Sequence, residues 1–189
     1  MTLLILGLVL FVGMHSVSIV AEDFRNRMAA RNELVWKAFY GIVSIVGIVL
    51  IVKGYAAARL DPTVLYIPPS FLRHVAALLM LPVFVLFFAP YLPGRIKTAA
   101  KHPQLVAVKL WAVAHLLVNG TLADVTLFGS LLAWAVLDRI SLKRRADRPV
   151  PAAPHKGIND VLLIVVGLGV YLMFVFWLHQ VWFGVAPFG

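Results

Sequence analysis

The chain has 189 residues, of which 62% are apolar and only 13% charged, and its mean hydropathy is +0.94. That composition excludes a soluble globular domain and marks a membrane protein. Seventeen Lys and Arg against eight Asp and Glu give a net charge of +9. The basic residues fall in short clusters between apolar runs, as in the cytoplasmic loops of a multi-span protein, so the expected partner is a lipid bilayer and not nucleic acid. There is no cysteine. Disulfides, thiolate metal sites, iron-sulfur clusters and covalently attached haem are thereby excluded, and any metal has to take His or carboxylate ligands.

The opening apolar run, 2–21, has no basic residue ahead of it, and its charges, Glu22, Asp23, Arg25 and Arg27, come after it. A cleavable signal has the opposite polarity, so this run reads as a retained first span. A spanning helix needs ~17 to 25 mostly apolar residues. Five further segments approach that length: 35–56, 71–89, 103–118, 122–137 and 161–183. Pro68 and Pro69 precede the third, Pro90 and Pro93 follow it, and Pro103 opens the fourth, where its missing N–H costs nothing. As one helix, 103–137 would be ~52 Å long, too much for a bilayer. Asn119-Gly120, a pair that tolerates positive φ and marks tight turns, is the natural break. The loop carrying Pro149, Pro151 and Pro154 is expected to be extended and mobile. The predicted fold is all-α, a polytopic membrane helix bundle of six transmembrane helices with short loops, forming one domain over 1–189.

Charge sets the orientation. Thirteen of the seventeen basic residues lie in the first, third and fifth loops and the helix ends beside them, running from Arg25 to Lys37, from Arg95 to Lys101 and from Arg139 to Lys156. Lys53, Arg59 and Arg73 fall on the opposite side, and Lys109 lies inside the fourth span. Lys and Arg collect on the cytoplasmic face, so both termini are expected on the non-cytoplasmic side of a cell inner membrane. A five-span alternative, unbroken at Asn119, would divide the basic residues more evenly.

Ionisable and metal-binding side chains are costly inside a membrane, which makes each one a candidate for function. Among the six histidines, His155 sits in the Pro-rich loop, His74 and His179 lie near outer helix ends, and His102 stands at the helix boundary before Pro103. His15 and His115 differ, being flanked by apolar residues well inside their spans. His15 shares a helical face with Gly7, Phe11 and Ser18, and His115 shares one with Gln104, Val108, Trp111 and Asn119. That second face is too polar for lipid, although hydrogen bonding between helices would also account for both histidines. His102 and His115 are thirteen residues apart, ~20 Å along the helix axis, so one iron cannot take both. His102 shares its face with Lys109 instead. Two neutral imidazoles from different helices, here His15 and His115, would suit low-spin haem b held without covalent attachment.

Two stretches of the chain resemble the NnrU family, whose wider relatives include the plant and bacterial zeta-carotene isomerases. The first is Gly13-Met14-His15-Ser16. The second runs Lys101-His102-Pro103-Gln104-Leu105, then Lys109 to Leu117 around Trp111 and Ala114-His115, then Asn119-Gly120, Leu127-Phe128-Gly129 and Trp134 to Arg139. The resemblance covers essentially the whole chain. From the isomerases it implies a b-type haem with two axial histidines, and those positions fall on His15 and His115. From the NnrU proteins it implies a link to nitric oxide and nitrite metabolism in denitrifying bacteria, with no defined reaction. The His-Pro element also resembles integral-membrane methyltransferases, but the paired glutamates of that pattern are absent here.

Three functions are therefore in view. The first is a haem b protein of denitrification-linked metabolism, with an apolar small molecule or nitric oxide as ligand and with His102, Lys109, Trp111 and Asn119 as secondary site residues. The second is a haem-dependent cis-trans isomerase, and the third a non-catalytic assembly or interaction subunit, with an oligomer as its working form. In the third, Gly41, Gly47 and Gly54, together with Gly167 and Gly169, would mark helix contacts. Arg95, Lys97 and Lys101 are candidate partners for haem propionates.

Overall fold

A computed structural model describes residues 1–146, 148 and 150–188, so Pro149 of the proline-rich loop lies outside the described residues. In chain order the elements are α1 (Thr2–Val20), α2 (Glu22–Arg31), α3 (Glu33–Ala58), α4 (Leu72–Met80), α5 (Val83–Phe88), α6 (Arg95–Ala100), α7 (Pro103–Val118), α8 (Leu122–Ser141) and α9 (Ile158–Met173), then a π-helical turn (Phe174–Leu178) and α10 (His179–Phe183). The protein is all-α, with one isolated bridge between Val64 and Thr121 among the described residues. Among those residues three runs are long and apolar enough to cross a membrane: Thr2–Val20, Glu33–Ala58 and Ile158–Phe183. Leu72–Phe88 and Pro103–Val118 are shorter apolar helices. α8 has 20 residues but carries Asp124, Asp138 and Arg139.

The chain forms two compact units, Met1–Ile67 with Asn119–Lys143, and Pro68–Val118 with Arg144–Gly189. In the first, α1 packs along α3, and α8 packs on α1. Glycine makes the α1–α3 contact possible. A side chain on Gly7 would meet the Ile51 nitrogen and the Gly47 carbonyl, one on Gly47 would meet Phe11, and one on Gly54 would run into the backbone of Leu3 and Leu4. Main chain therefore lies directly against main chain. In lipid, which is as apolar as a leucine-rich helix surface, such close packing is what holds helices together. The glycine pattern read from the sequence acts in part, since Gly47, Gly54 and Gly167 are packed, the last against Val85 of α5, while Gly41 and Gly169 face open space.

At the Gly54 end of the first unit, Thr121 and Asp124 form a reciprocal capping box at the start of α8. Asp124 is only 4% exposed. Its carboxylate accepts from the Thr121 N–H at 2.8 Å and the Thr121 hydroxyl at 2.6 Å, and also from the Tyr55 hydroxyl of α3. A buried carboxylate needs such partners, and here they also tie two helices together. The preceding turn is gripped by the segment after α3: Leu122 N–H donates to the Thr63 carbonyl, and the Leu65 and Tyr66 N–H groups donate to the Gly120 carbonyl. The chain does break at Asn119-Gly120, yet neither residue has positive φ, which among the described residues occurs only at Lys101 and Gly184. Glycine serves there for another reason. The Tyr66 carbonyl occupies the space a side chain at 120 would need.

In the second unit α7 packs on α4 and α5, and α9 packs on α5. The expected third span, 71–89, is interrupted between α4 and α5, because Pro82 has no N–H to continue the helix. The described part of the proline-rich loop has no regular structure but is tied down. Ala153 N–H donates to the Tyr91 carbonyl, Lys156 N–H to the Pro93 carbonyl, and buried Asn159 donates from Nδ2 to the carbonyls of Pro93 and Pro154 at 2.8 and 3.0 Å. The adjacent Asp160 carboxylate accepts the N–H groups of Arg95 and Ile96 at 2.9 and 3.1 Å, capping α6 from another helix. These bonds give donors to the carbonyls freed at the Tyr91–Pro93 turn.

Gly54→Leu is expected to cost about 3 kcal/mol or more by forcing α1 and α3 apart, lowering the detergent melting temperature by roughly 6–12 °C. Gly41→Leu, into open space, should change stability by no more than about 1 kcal/mol. Asp160→Ala is expected to cost about 1–2 kcal/mol and to raise amide exchange at Arg95 and Ile96 by about tenfold, measured by hydrogen exchange on peptides covering α6.

Candidate functional site

His15 lies on the face of α1 that meets α3, one turn beyond Phe11, which itself abuts Gly47. Its Nδ1 stands 2.8 Å from the Phe11 carbonyl four residues back. A carbonyl can only accept, so Nδ1 carries the proton, and in the neutral ring the lone pair is on Nε2. Three aromatic rings surround the imidazole. Phe11 lies 4.1 Å away between centroids, Tyr40 of α3 5.0 Å, and Trp134 of α8 5.5 Å and edge-on at 88°. Every helix that contributes to this pocket of rings belongs to the first unit.

His115 repeats the arrangement in the second unit. Its Nδ1 is 2.8 Å from the Trp111 carbonyl, again four residues back, and the Trp111 ring lies 5.0 Å from the imidazole. The lone pair is again on Nε2 when the ring is neutral. α7 offers little outward-facing surface here, since Ala112 and Ala114 are buried and only Val113 of its 16 residues is exposed, at 36%. Metal-bound histidines commonly donate their second ring N–H to a backbone carbonyl, which fixes the tautomer and the orientation of the ring. His15 and His115 both meet that condition.

The other histidines are placed differently. His74 is exposed, with Nδ1 3.3 Å from the Phe71 carbonyl, and it lines an open cleft of about 500 Å³ with Ser70, Phe71, Arg73 and Phe188. His179 is bonded through Nδ1 to the Val185 carbonyl at 2.6 Å, and His155 is exposed in the anchored loop. His102 acts through its backbone, where its carbonyl receives the Leu105 and Val106 N–H groups and so starts α7. Just before it, Lys101 takes φ +57° and ψ −56°, and the His102 N–H donates to the Ala100 carbonyl at 2.6 Å. This is a positive-φ γ-turn at a non-glycine residue, a rare and strained conformation. Gln104, one helical turn on, donates from Nε2 to the Phe87 carbonyl at 3.3 Å. Lys109 is half-buried within α7. Asn119 lies past the end of α7, and its carbonyl accepts the Tyr66 hydroxyl at 2.8 Å.

Tyr40 and Ser44 were not marked by the sequence pattern, and Trp134 only as part of the stretch that carries the family resemblance, not as a site residue. The Ser44 hydroxyl and the Trp134 Nε1–H are both buried with no hydrogen-bond partner among the described residues. A usable signal existed, because Tyr40, Ser44 and Gly47 recur at steps of four and three along one face. A run of aromatic and small residues on a spanning helix looks the same whether it packs or binds, so the pattern alone did not single them out.

Among the described residues no group of three or more His, Cys, Asp or Glu side chains is placed to hold a bare metal ion. A haem makes a smaller demand, since the porphyrin holds the iron and the protein adds only axial ligands. An imidazole with a fixed tautomer, an aromatic surround and unpartnered buried donors is a donor set that fits such a group. A family model described as NnrU protein matches residues 3–187 of the chain. No curated protein and no solved structure matches it.

Proposed function

The chain belongs to the NnrU family, and from that premise we propose a six-span protein of the cell inner membrane that binds haem b through His15 and His115 and serves nitric oxide- or nitrite-linked redox metabolism. The observation that carries the cofactor is the repeated geometry of the two imidazoles, each with Nδ1 at 2.8 Å from the carbonyl four residues back. The absence of cysteine agrees with a haem held without covalent attachment.

In this function the carbonyls of Phe11 and Trp111 keep Nδ1 protonated and hold each ring in orientation, so that Nε2 is the ligating atom. Phe11, Tyr40 and Trp134 enclose His15 with apolar surface that excludes water, and Trp111 does the same on one side of His115. Haem, when bound, supplies one-electron chemistry and an iron site for nitric oxide or an apolar small molecule. Arg95 and Lys97 on α6 and Lys101 beside it remain candidates for a propionate. The distribution of basic residues supports the orientation, with the first, third and fifth loops cytoplasmic and both termini on the other side.

Purified in detergent from cells supplied with haem, the protein is expected to show a sharp Soret band, and split α and β bands on reduction. His15→Ala and His115→Ala should each abolish the six-coordinate low-spin spectrum while leaving the helical circular dichroism intact. A folded but colourless wild type would remove the cofactor. Because the chain has no cysteine, topology can be mapped with single substitutions. Lys143→Cys is expected to react with an impermeant maleimide only from the cytoplasmic side, and Asp61→Cys only from the opposite side.

A further inference from the structure

Two hydrogen-bond donors on the helices around His15 have no acceptor among the described residues. Ser44 is 8% exposed on α3, and its hydroxyl has no partner among the described residues. On that helix it stands one turn from Tyr40 and one from Gly47. Gly47 abuts Phe11 and Tyr40 abuts His15, so Ser44 faces α1 at the level between Phe11 and His15. Trp134 approaches from α8, its ring edge-on to His15 at 5.5 Å, and its Nε1–H is equally buried and unpartnered. Buried donors are almost always satisfied, and leaving one orphaned is costly in a low-dielectric interior. Two of them, on the two helices that also bring Tyr40 and Trp134 to His15, need a common explanation.

Neither group has an alternative in its own helix. The Ser44 hydroxyl, which in a helix can bond back to the carbonyl one turn earlier, does not do so here. The indole N–H is donor only, so its partner has to bring an acceptor atom. Phe11 offers no such atom to it, and Tyr40 is not bonded to it. The nearest anionic group on α8, Asp138, lies one turn further along and is not the acceptor for Trp134. No acceptor for either donor is found among the described residues.

We propose that Trp134 Nε1–H and the Ser44 hydroxyl form the hydrogen-bonding wall of the His15 site and receive an anionic oxygen of the group that His15 holds. Resting on the haem assignment above, that oxygen belongs to a propionate carboxylate. Trp134 and Ser44 are binding residues here, and they supply no ligand to iron.

The test uses the full-length protein in detergent, loaded with hemin, with loss of hemin to excess apomyoglobin as the readout. Trp134→Phe is expected to speed hemin loss about tenfold, and Ser44→Ala by about threefold, as for removal of a hydrogen bond to a charged acceptor and of a weaker one. The Soret position should stay unchanged, because both axial histidines remain, while the propionate-bending band in the resonance Raman spectrum shifts. In the unloaded protein Ser44→Ala should not melt below wild type, since no hydrogen bond is lost there. Unchanged hemin loss in both variants overturns the proposal and leaves the donors holding a buried water only. A lower melting temperature of unloaded Trp134→Phe and Ser44→Ala with unchanged hemin loss also overturns it, by making them packing residues. A wild type that takes up no hemin overturns the haem assignment itself, an outcome distinct from a loaded wild type indifferent to both substitutions.

Discussion

Main chain against main chain is the constraint on which the first unit depends. Where lipid surrounds a helix there is no gain from burying one apolar side chain against another, so two helices hold together by fitting closely. Gly7, Gly47 and Gly54 permit that fit, and each would collide with the opposite helix if it carried a side chain. They also fix the register. With Gly54 against Leu4 and Gly47 against Phe11, one further turn of α1 sets His15 opposite Tyr40. The position of the candidate ligand is thus a consequence of glycine placement two and four turns away.

Both units close their polar ends with a buried or half-buried aspartate. Asp124 receives Thr121 from its own helix and Tyr55 from α3, so the start of α8 and the end of α3 share one carboxylate. Asp160, at the start of α9, receives the first N–H groups of α6 instead. The chemistry is the same, an anion set on exposed helix N–H groups, but in the second case it crosses between elements. Gly94 is required there, because a side chain on it would fall on the Asp160 carboxylate. Each of these two acids has hydrogen-bond donors to take the place of water.

Long apolar runs and charge clusters are strong signals, and the runs that became α1, α3 and Ile158–Phe183 were legible for that reason. The break at Asn119-Gly120 was legible too, though the glycine serves close approach to Tyr66 rather than positive φ. Pro82 was passed over because a single proline inside an apolar run does not change its hydropathy, yet the missing N–H divides the third segment into α4 and α5. The anchoring of the proline-rich loop could not be read at all, since it depends on carbonyls at Tyr91 and Pro93 that lie some sixty residues earlier. Of the candidate site, the histidines stood out because an ionisable group in an apolar run is conspicuous. Trp134, Tyr40 and Ser44 became visible only when α1, α3 and α8 were assembled.

The two imidazoles are cheap to build, which explains why a short motif suffices for each. A helical carbonyl has two lone pairs and already accepts the N–H of the residue four ahead. When that residue is histidine, its ring can use the second lone pair of the same carbonyl, so the partner that fixes the tautomer comes with the helix and no other element has to supply it. An aromatic residue at the same spacing then packs on the imidazole, Phe11 on His15 and Trp111 on His115, and limits its rotation. Each imidazole is thereby preorganised by its own turn of helix. What such a turn cannot provide is a donor for the anionic edge of a bound group. Any such donor would come from neighbouring helices, and α3 and α8 carry a hydroxyl and an indole N–H with no partner among the described residues.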